Sequence, residues 1–403
     1  MKILFLANRV PYPPYRGDKL KIYNLAQRLH GRHELHLITF AQTKEDLSYK
    51  AELEKIFHKV HLVYLPQWKS AKNCLRGMWD KRPLQVLYFQ SVEMQAKIDA
   101  LIAAYRYDLI YVQHLRMSPY LATRKSIPRI LDLPDAFSLY WERRKIVKRS
   151  FLTTIFENIE QRRVLQYEEV IKEYNLSLVC SSEDLNYLEK THHATNLRLL
   201  PNGVDRSVFK SGGHDYTHNH TILFTGNMDY APNVDAVTYF TSAILPLVRA
   251  QHGGVRFIIA GQKPVPKVTA LANDHITVTG FVQDLAAMYN SASVVAAPLR
   301  FGAGTQNKVL EAMAMGIPVV CSDIGFEGLG IQSGQGAVMQ TDPVAFAGSI
   351  NELLSSENLR RRVGEAGAEV IRTKFDWDII ALTLEGYWNE VNKGQEYIEP
   401  SSW

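Results

Sequence analysis

Short, continuous apolar runs alternate with longer stretches of helical periodicity along most of the 403-residue chain. Residues 2–7 form one such run, and after a proline-containing loop apolar residues recur at helical spacing over 20–29. Continuous apolar runs between helices are typical of buried parallel strands. The pattern predicts strands at 2–7, 33–39, 59–65, 108–112, 129–133, 176–180, 221–225, 256–260, 276–279 and 293–299. It therefore indicates an α/β fold with doubly wound parallel sheets.

The pattern starts afresh in the second half of the chain. Residues 222–233 repeat the order of residues 3–14, a strand followed by a loop with asparagine and then proline. A chain of this length also exceeds one ordinary hydrophobic core. The turn at 201–205, Pro-Asn-Gly-Val-Asp, separates the two patterns. We expect one domain over 1–203 and a second that begins at 204.

The composition is that of a soluble globular protein, with 46% hydrophobic and 22% charged residues. The three cysteines, Cys74, Cys180 and Cys321, stand far apart, so neither a disulfide framework nor a metal site is expected. The sequence begins directly with a strand pattern, without the features of a signal peptide. No apolar run approaches membrane-spanning length. These features predict a cytoplasmic protein.

The net charge of +5 is unevenly distributed along the chain. Residues 1–205 carry 32 Lys and Arg against 22 Asp and Glu, a net +10, whereas residues 206–403 carry 14 against 19, a net −5. The first half is therefore the half that would face an anionic surface or substrate. No recognisable nucleic-acid reader motif accompanies this charge, so we expect no nucleic-acid partner.

Two segments of the first half combine basic with apolar residues. A helical pattern over 140–172 begins with the basic stretch 143–149. Between 67 and 89, aromatic side chains alternate with basic ones: Trp68, Lys69, Lys72, Arg76, Trp79, Lys81, Arg82, Tyr88 and Phe89. Such segments suit an anionic membrane interface, where apolar side chains insert and cations meet lipid phosphates. Buried aromatic residues beside a solvated basic face fit the same pattern. We hypothesise peripheral contact of the first domain with the inner face of a membrane.

A glycine-rich turn between a strand and a helix is the strongest candidate for chemistry. Gly302 and Gly304 leave the backbone without Cβ atoms where the helix begins, so N–H groups and the positive helix end can meet an anion. Lys308 and Glu311 stand three residues apart and share a helix face. The lysine could bind phosphate, and the carboxylate could accept hydrogen bonds from sugar hydroxyls. The turn therefore predicts a nucleotide pocket, although a surface ion pair on an ordinary helix fits the same spacing.

The run over residues 304–320, GTQNKVLEAMAMGIPVV, resembles the donor-site motif of glycosyltransferase family 4. It is most similar to the branch of sugar transferases associated with exopolysaccharide loci. The resemblance implies the GT-B fold, two Rossmann-like domains facing across a cleft. It implies retaining transfer, without metal or cofactor, from a UDP- or GDP-linked sugar to a glycan or lipid-linked acceptor. The acceptor domain would span 1–203 and the nucleotide-sugar domain 204–375, with 376–403 a helix crossing back to the first domain.

The same resemblance assigns residues to the donor site. Backbone N–H groups over Gly302, Ala303, Gly304 and Thr305, aided by Lys308 and Arg300, would hold the diphosphate, and Glu311 the ribose. Backbone groups of Phe281 and Val282 would contact the nucleobase. Gly226 and Asn227 follow the strand 221–225, where the family often has an arginine and a lysine that this chain lacks. A second departure is Ala303, because the family usually has a glutamate eight residues before the one at Glu311.

Two residues of the first half are candidates for the reaction centre. Gly17 lies in the loop after the first strand, where the resembled family carries glycines; Arg16 and Asp18 flank it. His114 follows the strand 108–112 and resembles the catalytic-centre histidine of many family members. A plain connecting loop and a packed histidine are the alternatives. Asp132, at the end of a neighbouring strand, is a further polar candidate.

Two other classes of protein share this architecture. A sugar-nucleotide epimerase would convert the donor without any acceptor. A non-catalytic relative would bind nucleotide sugar without turning it over, and Ala303 together with the missing arginine and lysine keeps that alternative open.

Overall fold

The computed structural model describes residues 1–15, 17–124, 126–146, 150–210, 214–218 and 220–393, without the side chain of Asp18. The chain divides into two compact units. Within the described residues, the first domain consists of Met1–Asn202 together with the chain from Ile380 to Lys393, and the second domain is Gly203–Ile379.

The first domain is built on a parallel sheet whose described strands follow the order β3-β2-β1-β4-β5-β6-β7. The strands are β1 (Lys2–Ala7), β2 (Glu34–Ala41), β3 (Lys59–Tyr64), β4 (Leu109–Gln113), β5 (Arg129–Asp132), β6 (Leu176–Val179) and β7 (Leu197–Leu199). Nearly every residue of β1, β2 and β4 is buried, because helices cover both faces of the sheet. The order reverses between β1 and β4, and the loops after such strands are where ligands bind in open α/β sheets.

Helices connect these strands and include α1 (Gly17–Leu29), α2 (Lys44–Ser48), α3 (Lys50–Leu53), α4 (Gln67–Arg76), α5 (Leu84–Tyr88), α6 (Val92–Ala104), α7 (Phe137–Arg144), α8 (Phe151–Tyr167) and α9 (Ser182–His192). Short 3₁₀ helices span Leu115–Leu121 and Glu168–Glu173.

The prediction of a single long helix over 140–172 is wrong. A new helix begins after Ser150, whose side chain accepts a hydrogen bond from the backbone N–H of Thr153. Of the predicted basic stretch, Lys148 and Arg149 lie outside the described residues.

The second domain repeats the plan with the strand order β10-β9-β8-β11-β12-β13, again parallel in the described residues. Its strands are β8 (Thr221–Thr225), β9 (Arg256–Ala260), β10 (Ile276–Gly280), β11 (Val294–Ala297), β12 (Val319–Cys321) and β13 (Ala337–Met339). Its helices are α10 (Ala231–Tyr239), α11 (Leu245–Gln251), α12 (Pro266–Thr269), α13 (Leu285–Asn290), α14 (Asn307–Ala314), α15 (Asp323–Phe326), α16 (Pro343–Ser355) and α17 (Glu357–Lys374), with a π-helical turn at Phe240–Ile244. The expected α/β class with two doubly wound domains is confirmed.

The last helix, α18 (Trp377–Lys393), begins in the second domain and from Ile380 belongs to the first. Within the first domain the Trp388 ring meets Phe5 edge-on at 6.0 Å, and the Tyr387 hydroxyl donates to the Leu199 carbonyl at 2.9 Å. Residues 394–403, predicted as part of the crossing segment, lie outside the described residues. Across the described part of the chain, no helix has both the length and the apolar character needed to span a bilayer.

Candidate functional site

The loops after β8 and β11 lie at the point where the strand order of the second sheet reverses. These two strands are direct neighbours, and their connections leave in opposite directions along the sheet. The carboxyl ends of adjacent parallel strands meet at one edge, so both loops border the same crevice. The predicted residues Gly226 and Asn227 belong to the first loop, and residues 300–305 belong to the second.

The second loop ends in a largely buried, glycine-containing backbone turn at the start of α14. Gly304 has a φ of 72°, which residues with a Cβ rarely adopt, and Gly302 has a φ of 152°. The N-cap residue is Gln306, and its side chain makes no capping hydrogen bond to the first turn of the helix. A helix start without a side-chain cap favours an anion at that position.

Lys308 lies in the first turn of α14 and is almost fully buried. Its Nζ donates to Asn233 Oδ1 at 3.1 Å and to Gln306 Oε1 at 3.4 Å, and it lies 5.2 Å from the ring centre of Phe224. Burial lowers the pKa of Lys308 to about 8, and the charge of Glu311 opposes that shift. Its two polar partners are neutral amides, so the ammonium group is only weakly compensated. This arrangement suits an anionic ligand that supplies the missing negative charge.

Glu311, one turn further along α14, is partly buried against the second-sheet core. Its Oε2 accepts a hydrogen bond of 2.8 Å from the hydroxyl of Tyr289, which also lies 2.7 Å from the Thr225 hydroxyl. Burial raises the pKa of Glu311 to about 7, while the Tyr289 hydrogen bond and Lys308 act in the opposite direction. The Tyr289 bond fixes the carboxyl in place and leaves its remaining oxygen for a second donor.

The sequence did not identify Asn233 and Tyr289, which hold these two charged residues. Asn233 lies in α10, where its Nδ2 donates to the Asn227 carbonyl at 3.0 Å while its Oδ1 accepts from Lys308. A Cβ at Gly226 would come within 2.6 Å of Asn233 Nδ2, so the glycine leaves room for this amide. Only the proline beside Asn233 marked the segment in the sequence, and nothing marked Tyr289.

The structure revises the expected role of Arg300. Its Nε donates to Asp235 Oδ2 at 2.8 Å, and its guanidinium lies 4.7 Å from the ring centre of Tyr239. Both partners belong to α10, and the carboxylate neutralises the arginine. Lys308 is therefore a better candidate than Arg300 for contact with phosphate.

The remaining predicted donor residues lie on the same domain. Ala303 and Thr305 are buried within the loop. Because residue 303 is an alanine, that position offers no carboxylate to a ligand. Phe281 is exposed just after β10, and Val282 packs against the core cluster beneath α14. Gly280, which precedes them, has a φ of 70°. The chain turns sharply there, at the same strand-end edge as the other loops.

His114 occupies the corresponding edge of the first sheet, directly after β4. Its φ of 77° and ψ of 142° are unfavourable for a residue with a side chain. The backbone N–H donates to the Asp132 carbonyl at 2.8 Å, and the ring stacks on Phe137 with centroids 4.5 Å apart. Burial, together with Arg116 and Arg9, lowers the pKa of His114 well below its usual value, so the imidazole is neutral. Gly17 begins α1 and is exposed, whereas Arg16 lies outside the described residues.

The expectation that the Asp132 side chain is available to a ligand is wrong. Lys21 Nζ donates to its Oδ1 at 2.6 Å, and the Tyr111 hydroxyl donates to its Oδ2 at 2.6 Å. All three side chains are buried, and Lys21 also donates to the Leu200 carbonyl at 2.9 Å. This ion pair joins α1 to the sheet because a buried carboxylate requires a cationic partner.

Comparison with known proteins identifies the enzyme class. Residues 219–356 match the sequence model of the family Glycosyl transferases group 1. Over 195 residues the chain is 31% identical to a phosphatidyl-myo-inositol mannosyltransferase of Mycobacterium leprae, covering 46% of this chain and 51% of that relative. The chain carries a glycosyltransferase group 1 domain over residues 219–356. The resemblance of residues 304–320 to a glycosyltransferase motif is thereby confirmed.

A second relative matches over a longer part of the chain. It is 23% identical over 365 residues to an uncharacterized 44.6 kDa protein in the cps region of Klebsiella pneumoniae, covering 86% of this chain and 89% of that protein. Among solved structures, sucrose-phosphate synthase from Thermosynechococcus elongatus superposes with a TM-score of 0.73 at 16% identity, over 98% of this chain and 100% of that one. Anabaena Alr3699/HepE in complex with UDP-glucose gives a TM-score of 0.67 at 16% identity, over 97% and 100% of the two chains. These likenesses show that the glycosyltransferase has the GT-B fold.

Glu311 makes the stability of the ligand-free glycosyltransferase depend on pH. Because its folded pKa is about 7 and its ordinary value is 4.5, the folded state retains the proton more strongly. The stability that the protonated Glu311 carboxyl gives to the folded state is fully present below pH 4.5 and is lost as the pH rises through 7. Relative to Glu311→Gln, the wild type should therefore lose on the order of 2 kcal/mol of unfolding free energy between pH 4.5 and 7.5.

Urea denaturation at several pH values measures this difference. The control is Glu352→Gln, which changes an exposed carboxylate of the same domain and should leave the wild-type profile unchanged. If Glu311→Gln and the wild type showed parallel profiles, the carboxyl would not be protonated in the folded protein.

Proposed function

We propose that this glycosyltransferase moves a sugar from a nucleotide-sugar donor to a glycan or lipid-linked acceptor. The observation that carries the proposal is the buried, weakly compensated ammonium group of Lys308 beside the glycine-rich start of α14. A diphosphate supplies the negative charge that this position favours. Glu311, one turn away, would accept hydrogen bonds from the ribose hydroxyls through the oxygen that Tyr289 does not occupy.

The same groups would assist the chemical step. As the bond from sugar to phosphate breaks, negative charge grows on the departing phosphate and positive charge on the sugar. Backbone N–H groups over residues 302–305 and the Lys308 ammonium would stabilise the departing phosphate, and preorganised donors of this kind are a major source of catalysis. We propose that transfer proceeds with retention of configuration and that these groups, without a metal ion, provide the positive charge.

We assign the reaction centre of the first domain to His114 and the loop that ends at Gly17. Strained backbone geometry at a strand end is concentrated at functional sites, and His114 combines such geometry with a neutral, tightly held ring. A neutral imidazole can accept or donate a hydrogen bond to a sugar hydroxyl without placing a charge beside it. Stacking on Phe137 would keep the ring in one orientation, and the Asp132 carbonyl holds the His114 backbone N–H.

The proposed biological setting is exopolysaccharide or cell-surface polysaccharide synthesis. The relative encoded in a cps region supports that setting, and the mannosyltransferase relative supports an acceptor carried on a lipid. The neighbour solved with UDP-glucose supports a UDP-linked donor, with a GDP-linked donor as the other form to test. Peripheral contact with the cytoplasmic face of the membrane would bring the enzyme to such an acceptor.

Titration of UDP, GDP and their sugar conjugates by calorimetry tests the donor site. Glu311→Ala should weaken binding of the preferred nucleotide roughly tenfold to a hundredfold, because hydrogen bonds to a charged group contribute about 1.5–3 kcal/mol. The control is Glu352→Ala in the same domain. Unchanged affinity in Glu311→Ala would contradict the ribose role.

Incubation of the wild type with the sugar nucleotide that it binds tests the reaction itself. Release of nucleotide supports transfer. An altered sugar nucleotide without release would instead indicate epimerisation, and an unchanged one in the presence of acceptor extracts would indicate a binding protein. Both of these results contradict the proposal.

A further inference from the structure

Helix α8 is oriented with its apolar side chains toward solvent and two acidic side chains toward the protein. Phe151 and Leu152 are 78% and 77% exposed, and Ile155, Phe156 and Ile159 continue the same exposed face along the helix. On the opposite side, Glu157 pairs with Arg144 at 3.0 Å, and Glu160 accepts the Leu84 backbone N–H at 2.6 Å. Burial raises the pKa of Glu160. An amphipathic helix normally turns its apolar face inward, so the outer face of α8 has the composition of a buried surface.

A second exposed apolar group lies beside α8, on α4 and in the turn that follows it. It consists of Trp68, Leu75, Met78 and Trp79, and Trp79 is 91% exposed. Arg163 of α8 donates to the Met78 carbonyl, and Glu160 accepts from Leu84 just beyond this group. These contacts place the two apolar groups on adjacent elements of the first domain. We call the combined surface the α4–α8 face.

Of the aromatic residues predicted to form this surface, Phe89 does not belong to it. It is buried in the core of the first domain, and Tyr88 is partly buried against that core. The amphipathic character of the exposed surface therefore comes from the two tryptophans and from α8. Tryptophan is enriched at the membrane–water interface because its ring is apolar and its N–H is polar.

The α4–α8 face is bordered by cations. Lys69, Lys72, Arg76 and Lys81 are exposed, and none of them forms an ion pair with an acidic residue in the described part of the chain. Arg162, on α8 itself, and Lys145, directly after α7, are likewise exposed. Each such cation near an anionic bilayer strengthens binding to it. Apolar residues surrounded by unpaired cations complement an anionic lipid surface in both chemistry and charge.

We propose that the α4–α8 face is a docking surface for an anionic lipid bilayer, into which Trp79, Phe151 and Leu152 insert. This inference deepens the proposed function by naming the surface that would hold the enzyme beside a lipid-linked acceptor. Membrane binding is measured without sugar transfer, so either proposal can fail while the other stands.

Co-sedimentation of the full chain with vesicles tests the proposal. The wild type should sediment with vesicles of phosphatidylcholine and phosphatidylglycerol at low salt, and far less with phosphatidylcholine alone. Phe151→Ser/Leu152→Ser should weaken binding to the anionic vesicles roughly tenfold or more, because two side chains lose their apolar burial. Lys72→Glu/Arg76→Glu should weaken it by a similar factor and reduce its dependence on salt.

Matched controls lie on the second domain. Val344→Ser removes a side chain that is 66% exposed, and Lys267→Glu reverses an exposed cation; neither should change vesicle binding. Melting curves and nucleotide titrations should match the wild type in every variant. Unchanged sedimentation of Phe151→Ser/Leu152→Ser would overturn the proposal. Equal binding to both kinds of vesicle would also overturn it. A third contrary result would be a protein that binds no vesicles and instead forms a dimer, detected by light scattering, that the same substitutions dissociate.

Discussion

Lys308→Met should reduce kcat/KM for nucleotide release from the accepted sugar nucleotide by roughly a hundredfold to a thousandfold. A loss of this size is typical when one preorganised hydrogen-bond donor to a developing negative charge is removed. The substitution keeps the length of the side chain and fits a buried position, but it removes the ammonium group that faces Asn233 Oδ1. The phosphate would then lose its nearest side-chain cation. Steady-state kinetics, together with calorimetric titration of the free nucleotide, separates loss of binding from loss of catalysis.

Arg300→Met is the matched control for Lys308→Met, since it removes a cation from the same loop. Asp235 already neutralises that arginine, so we expect less than about a tenfold change in kcat/KM. The reverse ranking of the two variants would show that Arg300 leaves Asp235 when the donor binds. The phosphate role would then pass from the lysine to the arginine.

Strands such as β1, β8 and β9 were predictable because they lie in parallel sheets covered on both faces. In that environment nearly every position is apolar, so β1, β8 and β9 appear in the sequence as continuous hydrophobic runs. Helix boundaries were less predictable. The separation of α7 from α8 depends on a serine cap, which is a local hydrogen bond that hydrophobic periodicity does not reveal.

In the candidate site, the sequence located the charged residues but not their partners. Lys308 and Glu311 follow from helical spacing and from the resemblance, whereas the partners of their side chains depend on contacts between distant parts of the chain. Asn233 is 75 residues from Lys308, and Tyr289 is 22 residues from Glu311. For the same reason the sequence did not show that Arg300 is paired with a carboxylate, since its partner Asp235 stands 65 residues earlier.

The exposed apolar face of α8 could not be told from a buried face by sequence alone. Over residues 151–159 the apolar residues recur on one side of α8, and such spacing by itself predicts that this side faces the core. Which side faces inward is decided by Arg144 and by the Leu84 backbone N–H, the partners of Glu157 and Glu160. Arg144 stood in the basic stretch noted in the sequence, but its pairing with Glu157 and the contact of Glu160 with Leu84 were not predictable, so only the structure separates a docking surface from a buried one.

Gly364→Ala should destabilise the second domain by about 3 kcal/mol or more, because the new methyl group cannot fit without moving the backbone. A Cβ at this position in α17 would lie 1.8 Å from the Gly316 carbonyl oxygen and 2.8 Å from the Tyr216 hydroxyl, which itself donates to that carbonyl at 2.8 Å. Gly316 ends the turn after α14, with a φ of 75°. A displaced turn would therefore also disturb α14 and the two charged residues that it carries. Urea denaturation measures the destabilisation, and nucleotide titration below the melting temperature should show weaker binding.

Gly348→Ala is the matched control for Gly364→Ala, because both substitutions add one methyl group to a helix of the same domain. No atom lies within 4 Å of a Cβ built at Gly348 in α16. There the substitution should stabilise the domain by about 0.5–1 kcal/mol, since alanine loses less conformational entropy than glycine when a helix forms. This entropic gain is common to both substitutions, so their opposite signs reflect the difference in packing at the two positions. If Gly364→Ala melted at the wild-type temperature, α17 could not be packed against the turn that follows α14.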